Sequence, residues 1–368
     1  MTPTVSRLAC RNFRSYRALT LDFSSRFVVF FGQNGAGKTN ILEAISLFSS
    51  DRGLRKASVA DFSNFHSEPG TWNLELRLLE SGYQTFLTTY LYNDRRVARI
   101  DGSSIQSLNK FEKLLWLLWI TPGMDTLFIG PRSERRNFFD HLVSGYSSHY
   151  KSCLKTISDL QKERLHVIFF RKDERWLEIL EERIAQASWQ AAMTRLEFLQ
   201  ILSDTFSEYR SEFLRPNVSI EGVIENIVRN FGEENAILEI AERLKATRFT
   251  DSEKQSTEIS VFKSSWLARH PRTNLEAENC STGEQKAFLI SLILAVTRIY
   301  QQSKRGVPIL LLDDLMMHLD KTRRRTLVDE LKELNVQTFF TGTEAYLFDD
   351  LSNTAQMYHV ENSICSFK

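Results

Sequence analysis

The sequence predicts an α/β fold: a sheet of buried parallel strands, an antiparallel β subdomain and an inserted helical arm. Three observations carry this. Phe27-Val28-Val29-Phe30-Phe31 is a continuous apolar run followed at once by glycines and then by a helical apolar pattern, the order strand, turn, helix. Trp72, Leu74, Leu76 and Leu78 alternate with polar residues, the period of a half-buried strand. Between Arg135 and Arg248 glycine and proline become scarce and long charged stretches take over, as in helices without breakers.

The first strand feeds Gly32-Gln33-Asn34-Gly35-Ala36-Gly37-Lys38-Thr39, a G-x-x-x-x-G-K-[ST] pattern. Gly32, Gly35 and Gly37 let the backbone turn with its N–H groups inward, and the following helix adds positive dipole potential, so the loop is expected to cradle phosphates. Lys38 would then reach the β and γ phosphates of a nucleoside triphosphate, and the Thr39 hydroxyl is placed for Mg²⁺. Ile41, Ala44, Ile45 and Phe48 share one helical face, which supplies the context that the motif requires.

Hydrophobic residues make up 42% and charged residues 25% of the 368 positions, the balance of a soluble chain with two or three cores. No segment reaches the ~20 apolar residues of a membrane span. Leu114 to Ile120 is far shorter, and Met1-Thr2-Pro3-Thr4-Val5-Ser6-Arg7 lacks the charged start and apolar centre of a secretory signal, so a cytoplasmic setting with no membrane partner is expected. Cys10, Cys153, Cys280 and Cys365 show no C-x-x-C spacing, which points to free thiols. A net charge of +1 confines any nucleic-acid contact to a local patch.

Along the chain, Tyr90, Tyr92 and Val97 flank an Asn93-Asp94 turn, and Asp101-Gly102 turns the chain again. Residues 1–134 therefore read as the first part of the α/β unit with its antiparallel subdomain. Residues 135–257 read as the helical arm. Within it Leu177, Leu180, Ile184, Ala187, Ala191, Phe198 and Ile201 recur at three-four spacing, interrupted at Thr194; a short two-helix coiled coil and a plain bundle core account for this seam equally well. The polar stretch Thr250 to Glu258 reads as a hinge, after which the α/β unit resumes over residues 258–368.

Pro308-Ile309-Leu310-Leu311-Leu312-Asp313-Asp314 reads as a second buried strand ending in two acids. Ligands of open α/β sheets sit beyond the carboxyl ends of strands, where Asp313 could hold the Mg²⁺ water shell and Asp314 could orient an attacking water. By itself such a strand is equally well a strand followed by a turn; the upstream loop gives it meaning. Ser281-Thr282-Gly283-Glu284-Gln285 opens a helix with Phe288, Leu289, Leu292, Ala295, Val296 and Ile299 on one side. Ser-x-x-Glu is a capping box. A capped start with Gly283 permitting close backbone approach also suits a γ-phosphate sensor.

In order, Gly32 to Thr39, Ser281 to Gln285, Leu312-Asp313-Asp314 and Leu319-Asp320 resemble the Walker A, signature, Walker B and D-loop motifs of an ABC-type ATPase head. Leu8-Ala9-Cys10-Arg11-Asn12-Phe13-Arg14-Ser15-Tyr16 is similar to the opening of structural-maintenance-of-chromosomes and RecF ATPases. Gly37 to Ile45, Gly130 to Asp140, Cys280 to Ala287 and Gln337 to Thr343 are most similar to the RecF family. Departures are visible too. Ser260 to Ser265 stands where many RecF proteins carry Gly-Pro-His-Arg-Asp, Pro122-Gly123-Met124-Asp125 stands for Pro-Glu-Asp, no Q-loop glutamine is assigned, and Thr341 or Thr343 occupies the place of a switch histidine.

The resemblance implies ATP and Mg²⁺ as cofactors, a weak, DNA-stimulated ATPase with Lys38, Asp313 and Asp314 as catalytic groups, and metal contacts from Thr39 and Asp313. It also implies an ATP-gated homodimer in which Ser281, Gly283 and Glu284 of one copy meet the nucleotide of the other. The partners implied are gapped, duplex or single-stranded DNA and RecO-like and RecR-like mediators, with loading of a RecA-type recombinase as the outcome. Candidate DNA cations are Lys56, Arg95, Arg96, Arg99, Arg132, Arg135, Arg136, Arg171 and Lys172, each individually more ordinary as a solvated charge; Arg323-Arg324-Arg325 serves equally well to cap a helix. The energy subunit of a transporter and a chromosome-organising ATPase are the alternatives. A long helical insertion argues against the first, and the arm's length at 1.5 Å per helical residue against the second.

Overall fold

A computed structural model of the chain describes residues 3–50, 52–64, 71–171, 173–209, 211–303 and 306–368. Its contacts divide into two compact units: residues 1–124, 211–213 and 300–368 form one, and residues 125–210 and 214–299 the other. The expected segments 1–134, 135–257 and 258–368 do not coincide with these units, because the Ser281 motif clusters with the helices.

The first unit contains two sheets. In the antiparallel one, the strands run in the order Tyr16–Asp22, Thr4–Phe13, Asn73–Glu80, Tyr83–Tyr92, Arg95–Ile100, Ser103–Ser104. Its inner face is the alternating set read from the sequence: Trp72, Leu74, Leu76 and Leu78 are all buried. Asn93 and Asp94 (φ 48° and 57°) and Asp101 and Gly102 (φ 47° and 77°) both form turns with two successive positive φ angles. Such turns match strand twist, and Asn, Asp and Gly tolerate them best.

The other sheet runs Ile364–Phe367, Ala355–Glu361, Phe27–Phe31, Thr338–Gly342, Ile309–Leu312, Leu117–Ile120. All neighbours are parallel except the first pair. Phe27–Phe31 and Ile309–Leu312 are buried at every position, as strands covered on both faces must be. Helix Lys38–Ser46 follows the first of these strands and buries Ile41, Ala44 and Ile45, with Phe48 just beyond. A register shift between Val5 and Arg7 frees the main chain of Val5, and the buried Gln337 amide satisfies it with two hydrogen bonds of 2.7 and 2.8 Å. One side chain thereby ties the two sheets together.

The second unit is built on helix Glu174–Glu208, which packs against Tyr150–His166, Val223–Asn230 and Glu233–Ala246. Contact with several helices resolves the seam as a bundle core. Leu177 to Phe198 are buried as expected, but Ile201 is half-exposed and Leu202 takes the buried place. Where Thr194 breaks the apolar spacing, the next residue, Arg195, is fully buried. It bonds Asp140 with both carboxylate oxygens (2.9 and 3.0 Å), Glu225 (2.7 Å), the Tyr150 hydroxyl (2.6 Å) and the Val261 carbonyl (2.9 Å). A second buried guanidinium, Arg164, pairs with Glu181 (2.9 Å) and Asp251 (2.7 Å).

Two expectations are corrected here. Thr250 to Glu258 is no loose hinge: helix Arg248–Lys254 occupies half of it, Gln255 stops that helix in the left-handed region (φ 50°), and buried Asp251 anchors it to Arg164. The helix Thr282–Gln302 is apolar on more than one side, since Ile290, Ile293 and Leu294 are buried as well, the pattern of a central helix. All four cysteines are free. Among the described residues no helix is long and apolar enough to cross a membrane.

Removing one member of a fully buried charge network leaves the others uncompensated. Arg195→Met is predicted to cost about 3–5 kcal/mol of stability, read as a lowered denaturant midpoint. A loss below about 1 kcal/mol would mean that Asp140 and Glu225 find other partners.

Candidate nucleotide site

The carboxyl ends of three parallel strands bring the first half of the site together. Phe31 leads into Gly32, whose φ of +148° and 2.1 Å separation between a built Cβ and the Val360 carbonyl oxygen admit only glycine. Gln33, Asn34 and Gly35 form the exposed rim of the loop, while Ala36 and Gly37 are buried. The Ala36 carbonyl accepts from the Ser363 N–H (3.0 Å), so the last hairpin of the sheet braces the loop. Lys38 folds back over it, its Nζ donating to the carbonyls of Gly32 (2.7 Å) and Gln33 (2.9 Å). Burial lowers the Lys38 pKa, against the raising effect of Asp314 and Asp313.

Asp313 ends the Ile309–Leu312 strand and is the acceptor on which the half-site converges. Its Oδ1 accepts from Thr39 Oγ1 (2.9 Å) and from Thr341 Oγ1 (2.6 Å), and the same Thr341 oxygen accepts the Asp314 N–H (2.9 Å). Of the two threonines considered for the switch position, Thr341 bonds Asp313, while Thr343 lies just past the strand and is half-exposed. Burial pushes the Asp313 carboxyl up, and the Thr341 and Thr39 hydroxyls pull it back down. Asp314 adopts a left-handed backbone (φ 50°), and its buried Oδ1 has no hydrogen-bond partner among the described residues. A threonine hydroxyl, a carboxylate held in a poorly solvating place and an orphaned carboxylate oxygen form an all-oxygen set, the chemistry that a hard divalent cation requires.

Sequence reasoning missed a supporting cluster. Arg14 grips the fully buried Glu43 with two bonds (2.8 and 2.6 Å), and Arg55 reaches both Glu43 (3.1 Å) and Asn40 (2.9 Å). Arg55 also lowers the Asp313 carboxyl as a lesser influence. The Tyr16 hydroxyl donates to the Gly37 carbonyl (3.2 Å), so the opening motif of the chain supports the start of the phosphate-loop helix. Glycine- and lysine-based patterns carry no trace of these long-range pairs.

The capping box of the second unit forms as read. Ser281 N–H and Oγ both donate to Glu284 Oε2 (2.8 and 2.7 Å), and the Glu284 N–H reaches Ser281 Oγ (3.3 Å). Ser281, Thr282 and Gly283 are exposed, and open space surrounds Gly283.

Residues 4–366 match the RecF/RecN/SMC N terminal domain model. The chain is 34% identical over 354 residues to the DNA replication and repair protein RecF of Rickettsia felis, covering 95% of this chain and 96% of that one. It is also 34% identical over 352 residues to its namesake in Rickettsia canadensis, covering 95% and 97%. The chain belongs to the RecF family. In structure, a recombination mediator protein RecF with ATP, of the RecFOR pathway, aligns at TM-score 0.85 and 21% identity over 100% of this chain and 99% of that one. An Smc head domain from Pyrococcus furiosus aligns at TM-score 0.55 and 17% identity over 100% and 96%. The fold is an ABC-type ATPase head.

The stretch Ser260 to Ser265 is tied into the second unit. Ser260 Oγ accepts the Phe262 N–H (3.1 Å), Ser264 donates to Glu225 (2.6 Å), and the Val261 carbonyl receives Arg195 (2.9 Å). Several of the basic candidates are engaged internally instead of facing solvent: Arg96 donates to Thr89 and to the Leu47 carbonyl, burial lowering its pKa to about 10, and Arg135 is buried against the Phe128 carbonyl. Arg136 is half-buried, and burial lowers its pKa. Lys56, Arg95, Arg99, Arg132 and Arg171 are exposed; Lys172 lies outside the described residues. Among the three arginines after the D-loop, Arg323 supplies the N–H capped by Asp320 (2.8 Å).

A carboxyl whose folded pKa is raised stabilises through its protonated form, so that contribution is present at low pH and lost as pH rises through the folded value. Asp313→Asn is therefore predicted to raise the thermal midpoint of the nucleotide-free protein at neutral pH, the gain vanishing below the ordinary aspartate pKa of about 3.9. Calorimetry across pH tests this; an equal or lower midpoint at neutral pH contradicts it.

Proposed function

We propose that this chain is an ATP-dependent DNA-binding protein of recombinational DNA repair and replication restart. It forms an ATP-gated homodimer on gapped or duplex DNA and helps load a recombinase onto single-stranded DNA. The observation that supports this most is the split character of the site: one half assembled around Asp313, and a separate exposed motif, Ser281-Thr282-Gly283, at a capped helix start. The relatives' designation as DNA replication and repair proteins supports the DNA half of the reading.

In this reading residues 1–134 and 258–368 make up the ATPase head and 135–257 the arm. The backbone of Gly32 to Thr39 receives the triphosphate, and Lys38 exchanges its carbonyl partners for phosphate oxygens. Thr39 and Asp313 would hold Mg²⁺, which would offset the charge of the triphosphate. Asp314, with its unpartnered oxygen, orients the attacking water. Its side chain is one methylene shorter than glutamate, which suits slow, switch-like hydrolysis. Ser281 and Gly283 of a second copy meet the γ-phosphate. Only the closed dimer satisfies that phosphate from both sides, so ATP drives closure through its differential affinity, and hydrolysis releases it.

DNA, together with RecO-like and RecR-like mediators, completes the set of partners, in the cytoplasm. Lys56, Arg95, Arg99, Arg132 and Arg171 remain the exposed cations available to phosphates.

Two measurements test the reading. With Mg-ATP the wild-type protein is predicted to become dimeric in light scattering at micromolar concentration while Lys38→Arg stays monomeric; equal behaviour of the two eliminates the ATP sandwich. ATP turnover is predicted to rise with gapped duplex DNA and to fall about 10²-fold in Lys38→Ala, the scale of losing one preorganised charge contact. Turnover indifferent to DNA would favour the transporter-type alternative.

A further inference from the structure

The signature serine is not held by its capping glutamate alone. Strand Ser265–Arg269 ends at His270, which is largely buried and starts a tight turn: its N–H donates to the Leu275 carbonyl (2.8 Å) and its carbonyl accepts the Asn274 N–H (2.9 Å). His270 Nδ1 accepts two further N–H groups, from Arg272 (3.1 Å) and Thr273 (3.2 Å). An imidazole nitrogen that accepts carries no hydrogen, so the hydrogen of the neutral ring belongs to Nε2. That Nε2 faces Glu284 Oε1 at 3.5 Å. The other oxygen of the same carboxylate takes both the N–H and the hydroxyl of Ser281. Glu284 thus stands between two restraints, the His270 ring on one oxygen and Ser281 on the other.

The Glu284 carboxyl lies below the usual carboxylate range, chiefly through the Ser281 hydroxyl and N–H, with His270 a smaller contributor. It is therefore a negative charge placed one residue from the exposed Gly283. A free carboxylate at that spot would repel the triphosphate that the motif is read to meet. We propose that His270 is a positioning residue for the signature motif: it keeps the Glu284 carboxylate turned back toward Ser281 and away from the place where a second copy's γ-phosphate docks. The inference rests on the reading that Ser281 and Gly283 meet a nucleotide in trans.

The chemistry of the ring suggests a selective probe. An asparagine oxygen can stand where Nδ1 stands and accept the same two N–H groups, as in turns that asparagine favours, but it has nothing at the Nε2 position. His270→Asn therefore keeps the turn and removes the contact with Glu284, along with the ring's edge contact with Phe288 (6.2 Å between centroids), which the rescue below separates from it. In the full-length protein with Mg-ATP, this variant is expected to weaken dimerisation about tenfold, or about 1.4 kcal/mol. Binding of a fluorescent ATP analogue to the monomer should be unchanged, since that measures the half-site around Lys38. Glu284→Gln can still cap Ser281 but carries no charge, so in that background His270→Asn should cost little, and the double variant should dimerise better than His270→Asn alone. A merely structural histidine would show no such rescue. Wild-type dimerisation by His270→Asn, or a double variant as weak as the single, overturns the role of His270 alone. A wild-type protein that stays monomeric with Mg-ATP overturns the trans reading and this role together.

Discussion

The carboxylate of Asp313 is the constraint around which the nucleotide half-site is arranged. One oxygen accepts hydroxyls from Thr39, on the phosphate-loop helix, and from Thr341, on the neighbouring strand. Those three residues meet only because their strands are parallel and end at one level, the register running from Leu312 to Phe340 and from Phe340 to Val29. The same convergence buries a charge, and burial is the largest influence on the Asp313 carboxyl. A site that keeps a costly anion among oxygen donors is one in which a cation relieves the cost, so sheet geometry and metal chemistry express one arrangement.

What could be read in the sequence was what depends on near neighbours. The phosphate loop, the Ser281 capping box and the Asn93-Asp94 and Asp101-Gly102 turns are each fixed within a few residues, by φ requirements or by one side chain reaching its own helix start. The alternating strand face at Trp72 to Leu78 was legible because a period of two is local. What escaped depends on distant partners. Glu43 lies on the phosphate-loop helix, yet nothing nearby announces that Arg14 will neutralise it. Arg195 follows the apparent flaw at Thr194, and the acids that make an arginine tolerable there come from Asp140 and Glu225. The bond from Thr341 to Asp313 needed coordinates for the same reason.

The helical unit has a polar centre inside an apolar bundle. Arg164 and Arg195 are both fully buried, and each ties at least three segments through directed bonds. Apolar packing tolerates sliding, whereas a planar guanidinium gripping fixed acceptors does not. The stretch Ser260 to Ser265 joins this network through Ser264 and the Val261 carbonyl.

Among the described residues, strand Phe27–Phe31 has neighbours only from Thr338–Gly342 and Ala355–Glu361. During synthesis it therefore leaves the ribosome with both edges bare and both faces apolar, and must wait until residues 338–342 have been made before a partner exists. Such pairings between sequence-distant segments are slow to form and exposed to aggregation meanwhile. The Ser363 and Val360 backbone groups that brace the phosphate loop arrive later still. The loop is thus synthesised long before the strands and backbone groups that hold it in shape.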